Sequence, residues 1–127
     1  MQDDLASMKM GTVEDFGNFI NAVIDEKAFD SISGYIAKAK EDGQEIVAGG
    51  NFDKSKGYFI EPTVIVAKDA KYRTMCEEIF GPVLTIHVYD AEKWDETLEI
   101  VNTTSPYALT GAIFSQDRYE IVKATRV

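Results

Sequence analysis

From Val83 onward the sequence changes its hydrophobic period repeatedly. Val83, Thr85, His87 and Tyr89 alternate with Leu84, Ile86 and Val88, the two-residue repeat of a strand. Ala91 to Val101 then places Trp94, Leu98 and Val101 on one stripe, the spacing of an amphipathic helix. Thr110 to Phe114 reads as another strand, and Asp117 is placed to cap a last helix running to the chain end. A strand, a helix and a second strand are the parts of a parallel crossover unit. The expected fold class is therefore α/β, a layered and largely parallel sheet flanked by helices.

The first half of the chain is read by the same rules. Met1 to Gly17 reads as a loop or a short helical start. Phe16, Phe19, Ile20, Val23 and Ile24 recur at helical spacing. Asp25 can cap a second helix that turns Phe29, Ile32, Ile36 and Ala39 inward, with Gly43 ending it. Short strands follow at Glu45 to Ala48, Tyr58 to Ile60 and Thr63 to Ala67, the last two separated by Pro62. Asn51 to Gly57 reads as a polar loop, and Lys68 to Phe80 as loop with one helical turn.

Composition narrows the partners. The 127 residues are 45% hydrophobic, enough for a packed core. The formal net charge is −9, and the basic residues form no stripe, which disfavours nucleic acid and anionic membrane surfaces. No apolar run reaches the length of a membrane helix. The start is acidic and lacks the regions of a signal peptide. Cys76 is the only cysteine, so no internal disulfide can form. His87 is the only histidine and no cysteine pair exists, so no transition-metal site is expected.

The stretch Cys76-Glu77-Glu78-Ile79-Phe80-Gly81-Pro82-Val83 places two carboxylates and an aromatic before a Gly-Pro turn and a buried strand. A carboxylate at a strand entrance can accept two hydroxyl hydrogens at once, as a ribose diol offers them. The phenyl ring two residues on could press against a flat heterocycle. Taken alone, the pattern is better read as a charged loop with a packing phenylalanine, since short motifs are weak evidence.

It does not stand alone. Gly49-Gly50 precedes it, then Gly57-Tyr58-Phe59-Ile60-Glu61-Pro62-Thr63-Val64. After it comes Asn102-Thr103-Thr104-Ser105-Pro106-Tyr107-Ala108-Leu109-Thr110-Gly111-Ala112-Ile113-Phe114-Ser115. In this order and at these spacings the set resembles the aldehyde dehydrogenase superfamily, over roughly residues 11 to 127. Within it, Glu14-Asp15-Phe16-Gly17-Asn18-Phe19-Ile20-Asn21-Ala22-Val23-Ile24-Asp25 resembles the 1-pyrroline-5-carboxylate dehydrogenase branch. The segments around Tyr72 to Cys76 and Ser105 to Ala108 resemble bacterial members.

The resemblance implies an enzyme that oxidises glutamate 5-semialdehyde to glutamate with NAD, the last step of proline breakdown. It implies cofactor contacts at Glu78 to the nicotinamide-side ribose, at Phe80 and Leu109 beside the nicotinamide ring, and at Phe29 near the adenosine end. Ala28 stands where relatives often carry glutamine, which weakens the adenosine assignment. Glu61-Pro62-Thr63 matches a structural turn. The implied partners are the small-molecule aldehyde and NAD, in a homo-oligomeric parent. The implied location is the cytoplasm of a bacterium, or the mitochondrial matrix in a eukaryote.

The chemistry of that family needs a cysteine thiolate to attack the aldehyde, and an oxyanion hole for the charge that develops. The family's Gly-Gln-x-Cys-like motif is missing, as is any Gly-x-Gly-x-x-Gly loop. Cys76 lies outside the family's motif, and two adjacent carboxylates are poor company for a thiolate. It is therefore read as structural, and no catalytic residue is assigned. The expected organisation is a partial catalytic domain over 1–127, from its C-terminal half and truncated at both ends, inactive by itself. Two alternatives remain open: a piece of another aldehyde dehydrogenase with a different aldehyde, and a stand-alone, non-catalytic α/β binding module.

Overall fold

The computed structural model describes residues 2–107 and 109–126. A short helix, α1 (Gln2–Ser7), is followed by an irregular segment and then by the main helix, α2 (Glu26–Glu41). Asp25 starts α2 from an extended backbone, and its Oδ1 accepts the Ala28 N–H at 2.7 Å. The stripe Phe29, Ile32, Ile36 and Ala39 is buried, as the helical period requires. Each fully buried isoleucine contributes about 1.5–3 kcal/mol relative to an exposed one. Gly43, at φ +69°, turns the chain away in a conformation that disfavours a side chain.

Five short strands follow: β1 (Glu45–Ala48), β2 (Phe52–Asp53), β3 (Phe59–Ile60), β4 (Thr63–Val66) and β5 (Val83–Ile86). A three-stranded sheet has the order β1-β4-β5, and β2 pairs with β3 as a separate antiparallel ribbon. In the larger sheet β4 runs antiparallel to β1 and parallel to β5. Thr63 faces Val83 and Val66 faces Ile86 in the parallel register. The central strand is the most buried, with Thr63, Val64 and Ile65 at 2% exposure or less. Phe29, Ile32, Ile36 and Ile60 form a core cluster, with Ile79 and Val83 packed against it.

Between β4 and β5 lies α3 (Arg73–Cys76), a single helical turn. After β5 a 3₁₀ turn at Ala91–Lys93 leads into α4 (Trp94–Thr104), and α5 (Arg118–Ala124) closes the described chain. Asp117 caps α5 by accepting the Tyr119 N–H at 2.8 Å. Lys123 of α5 pairs with Asp95 of α4.

The α/β class holds, but the sheet is less parallel than the period changes suggest. Among the described residues β4–β5 is the only parallel pair of strands, against two antiparallel ones, with one isolated parallel bridge between Met10 and Ile20. Phe16 to Ile24 is not helical. The Asp15 side chain accepts the Gly17 N–H, and the Phe19 and Ile20 N–H groups both donate to the Lys9 carbonyl oxygen. These local bonds compete with a helix, and Phe16 and Ile24 stay at 99% and 90% exposure. Thr110 to Phe114 forms no strand, because no described strand lies beside it to pair its backbone groups. Val101 is 71% exposed rather than on the packed side of α4. The last helix ends at Ala124, and Val127 lies outside the described residues.

Candidate functional site

The stretch from Cys76 to Gly81 crosses from α3 to β5 along one edge of α2. Glu77 is in extended backbone, at φ −103° and ψ 145°. Its N–H donates to the Arg73 carbonyl oxygen at 2.9 Å, closing the helical turn. The Glu77 carboxylate accepts the Tyr35 hydroxyl of α2 and the Arg73 guanidinium, the latter at 3.3 Å. The Arg73 guanidinium also lies over the Tyr35 ring, 4.4 Å from its centroid. The Tyr35 hydroxyl, and after it Arg73, hold the Glu77 carboxyl below the usual carboxylate range. Glu77 in turn holds the Tyr35 phenol above its ordinary value.

The adjacent carboxylate behaves differently. Glu78 is exposed, and no described residue bonds to its side chain. Ile79 returns to the core cluster around α2. Phe80 then points out, 89% exposed, and holds the only positive φ of a non-glycine among the described residues, +55°. A non-glycine residue in that region costs roughly 1–2 kcal/mol. Gly81 fits closely over α2, where an added Cβ would stand 2.5 Å from Ile32 Cδ1. Thr63 N–H donates to the Pro82 carbonyl oxygen at 2.8 Å, which ties the loop to the start of β4.

The chain therefore presents Glu78 and Phe80 on one loop, outward, over a fixed base. Leu109 also stands out, 98% exposed, on the segment between α4 and α5. The two segments are joined by Ser105, whose hydroxyl donates to the Cys76 carbonyl oxygen at 3.2 Å. Phe29 stands apart. Its ring is 4% exposed and packs edge-on against Phe52 at 5.9 Å and beside Tyr58 at 6.2 Å. Its neighbours in the structure include those of the core cluster.

Cys76 is half-buried and its thiol donates to the Lys71 carbonyl oxygen at 3.3 Å. His87 has Nδ1 3.0 Å from the Ala67 carbonyl oxygen, a backbone tie at the end of the parallel pair. Among the described residues no cluster of His, Cys, Asp and Glu could hold a metal. The Tyr35–Glu77–Arg73 group lies outside the sequence expectations. Arg73 and Glu77 are four apart on a helical turn, a pairing the sequence could have signalled. Tyr35 lies 42 positions from Glu77 and carried no such signal.

Comparison with known proteins identifies the family. The family model described as "Aldehyde dehydrogenase family" matches residues 1–127. The mitochondrial delta-1-pyrroline-5-carboxylate dehydrogenase of Dictyostelium discoideum is 58% identical over 120 residues, which are 93% of this chain and 21% of that protein. The delta-1-pyrroline-5-carboxylate dehydrogenase of Agaricus bisporus is 46% identical over 123 residues, covering 97% of this chain and 22% of its own length. Among solved structures, the Mycobacterium tuberculosis delta-pyrroline-5-carboxylate dehydrogenase bound with NAD superposes with a TM-score of 0.85 at 35% identity. That match covers 98% of this chain and 22% of the other. The chain thus spans about a fifth of the length of the curated relatives it matches.

Proposed function

The chain belongs to the aldehyde dehydrogenase family, and from that premise we propose that it is part of an NAD-dependent dehydrogenase that oxidises glutamate 5-semialdehyde to glutamate. Its share of the work is one wall of the nicotinamide-side cofactor pocket. The observation that carries this is the contrast between two neighbouring carboxylates. Glu77 is bound by Tyr35 and Arg73, whereas Glu78 is exposed and has no side-chain partner among the described residues, beside an outward phenyl ring in a left-handed backbone. Strained and exposed residues of this kind concentrate where a ligand supplies the missing contact.

The donor set fits the cofactor. A carboxylate with both oxygens uncommitted matches a vicinal diol, since each hydroxyl can donate to one oxygen. NAD, when bound, supplies the acceptor for the hydride that leaves the substrate carbon. Glu78 restricts the ribose, and so limits how far the attached ring can swing. Phe80 offers a flat apolar face against which that ring can rest, and Leu109 a second apolar contact. Phe29 stays behind this surface, as part of the core that supports it. The nucleophilic thiol is assigned to the remainder of the enzyme, because Cys76 is tied to a backbone carbonyl and lies off the family's motif.

The proposed domain assignment follows the same line: 1–127 as part of the catalytic domain, with the layered and largely parallel sheet completed by the rest of the protein. The relative from Dictyostelium is named as mitochondrial, which supports a mitochondrial location, proposed as the matrix, in a eukaryotic source; for a bacterial source the cytoplasm is proposed from the family resemblance alone. The reading is tested on the full-length enzyme with NAD. Its kcat/KM for glutamate 5-semialdehyde should exceed that for betaine aldehyde or acetaldehyde by at least about 10⁴-fold, the discrimination available to a site built to bind a substrate's polar groups. Equal values, or a preference for either of the other aldehydes, would leave the family assignment standing and overturn the substrate.

A further inference from the structure

We infer that Tyr35 and Arg73 are positioning residues for Glu78, acting through the carboxylate of Glu77. This rests on the reading that Glu78 holds the cofactor ribose. In extended chain, successive side chains point to opposite sides. Glu77 is extended, and its carboxylate is drawn toward α2 by the Tyr35 hydroxyl. Ile79 is drawn toward the same helix, into the cluster that contains Ile32. Ile32 and Tyr35 are three residues apart on α2, and so share one face of it. One helix face thus holds both neighbours of Glu78, and Glu78 is left to point away.

Other contacts fix the same loop without choosing that direction. The Cys76 carbonyl oxygen accepts from Ser105, and the Glu77 N–H closes on Arg73. Only the Glu77 carboxylate, held by a hydroxyl from α2 and a guanidinium from α3, decides which way residue 77 faces. Arg73 is itself aligned by the Tyr35 ring beneath it. All three side chains are partly exposed, so the group adds little to stability as an ion pair. Its orientation of the loop is the larger consequence.

The test uses the full-length enzyme with NAD and its aldehyde. Tyr35→Phe keeps the ring under Arg73 and removes only the donor to Glu77. It should lower kcat about five- to ten-fold, somewhat below the full value of a hydrogen bond to a charged group. It should also raise the deuterium isotope effect on the aldehyde hydrogen and leave the aldehyde KM and the melting temperature near wild type. Arg73→Gln, which removes the charge instead, should act in the same direction. The deciding comparison repeats Tyr35→Phe in a Glu78→Gln background, where no further loss of kcat is expected. Equal fold losses in both backgrounds, or no loss in either, would overturn the positioning role. A wild-type-like Glu78→Gln enzyme would instead overturn the ribose reading beneath it.

Discussion

The Tyr35 hydroxyl donates to the Glu77 carboxylate across 42 positions of sequence, and so joins the middle of α2 to the turn before β5. That contact separates two carboxylates that composition and motif treat as alike. It leaves Glu77 committed to α2 and α3, and Glu78 without a side-chain partner among the described residues.

The contact predicts a pH dependence of stability. The folded carboxyl of Glu77 lies below its ordinary value, first because of Tyr35 and then Arg73. A depressed value contributes stability above the ordinary carboxylate range, and that contribution is lost as pH falls through the folded value. Tyr35 is shifted up from 10.0, so its contribution is present below that value and is lost as pH rises through the folded one. Wild type should therefore be only slightly more stable than Glu77→Gln at neutral pH, as befits an exposed group, and that small gap should close in acid. Urea midpoints of both proteins from neutral to acidic pH measure it, and a gap independent of pH would contradict it.

Two glycines should respond to alanine in opposite ways. Gly49 has φ +69°, and a Cβ there would stand 2.1 Å from the Pro62 carbonyl oxygen, which is backbone and cannot yield cheaply. Gly49→Ala should cost at least about 1–2 kcal/mol. Gly34 lies inside α2 with nothing within 4 Å of an added Cβ. Gly34→Ala should stabilise by about 0.5–1 kcal/mol, because alanine loses less backbone freedom on entering a helix. Thermal melts of the two variants should move to either side of wild type.

Phe80 should show stability and turnover moving apart. Its ring is 89% exposed and its φ is +55°, so the side chain packs little and strains its own backbone. Phe80→Gly should leave the melting temperature equal to or above wild type, since relief of about 1–2 kcal/mol opposes the entropy that glycine adds to the unfolded chain. The same variant should lower kcat in the full-length enzyme. A variant that loses stability and keeps its turnover would place Phe80 in the packing and out of the pocket.

The sequence showed α2 in nearly full detail, because its cap, its stripe and its stop are all local signals. Asp25, Phe29, Ile32, Ile36, Ala39 and Gly43 each do what their spacing implies. The segment from Phe16 to Ile24 shows the opposite case. Its spacing is helical, but the Asp15 side chain and the Lys9 carbonyl bind its backbone otherwise. Thr110 to Phe114 has strand composition, yet a strand exists only with a neighbour, and composition does not supply one. At the site, Glu78 and Phe80 were legible as a motif. The left-handed turn at Phe80 and the Tyr35 contact were not, since both depend on how distant parts of the chain meet.

The most direct test is Glu78→Gln in the full-length enzyme. The change keeps the size of the side chain but replaces one acceptor oxygen with a donor, so one ribose hydroxyl loses its partner. A hydrogen bond to a charged group is worth roughly 1.5–3 kcal/mol, or about 10- to 150-fold. The loss should fall on kcat, because a freer ring spends less time within the roughly 3–3.5 Å that reaction requires. Hydride transfer should then limit the rate, and aldehyde deuterated at the reacting carbon should give a larger isotope effect than in wild type. Glu99→Gln, an exposed carboxylate of α4, should match wild type in both quantities. A Glu78→Gln enzyme with unchanged kcat and an unchanged isotope effect would contradict the account.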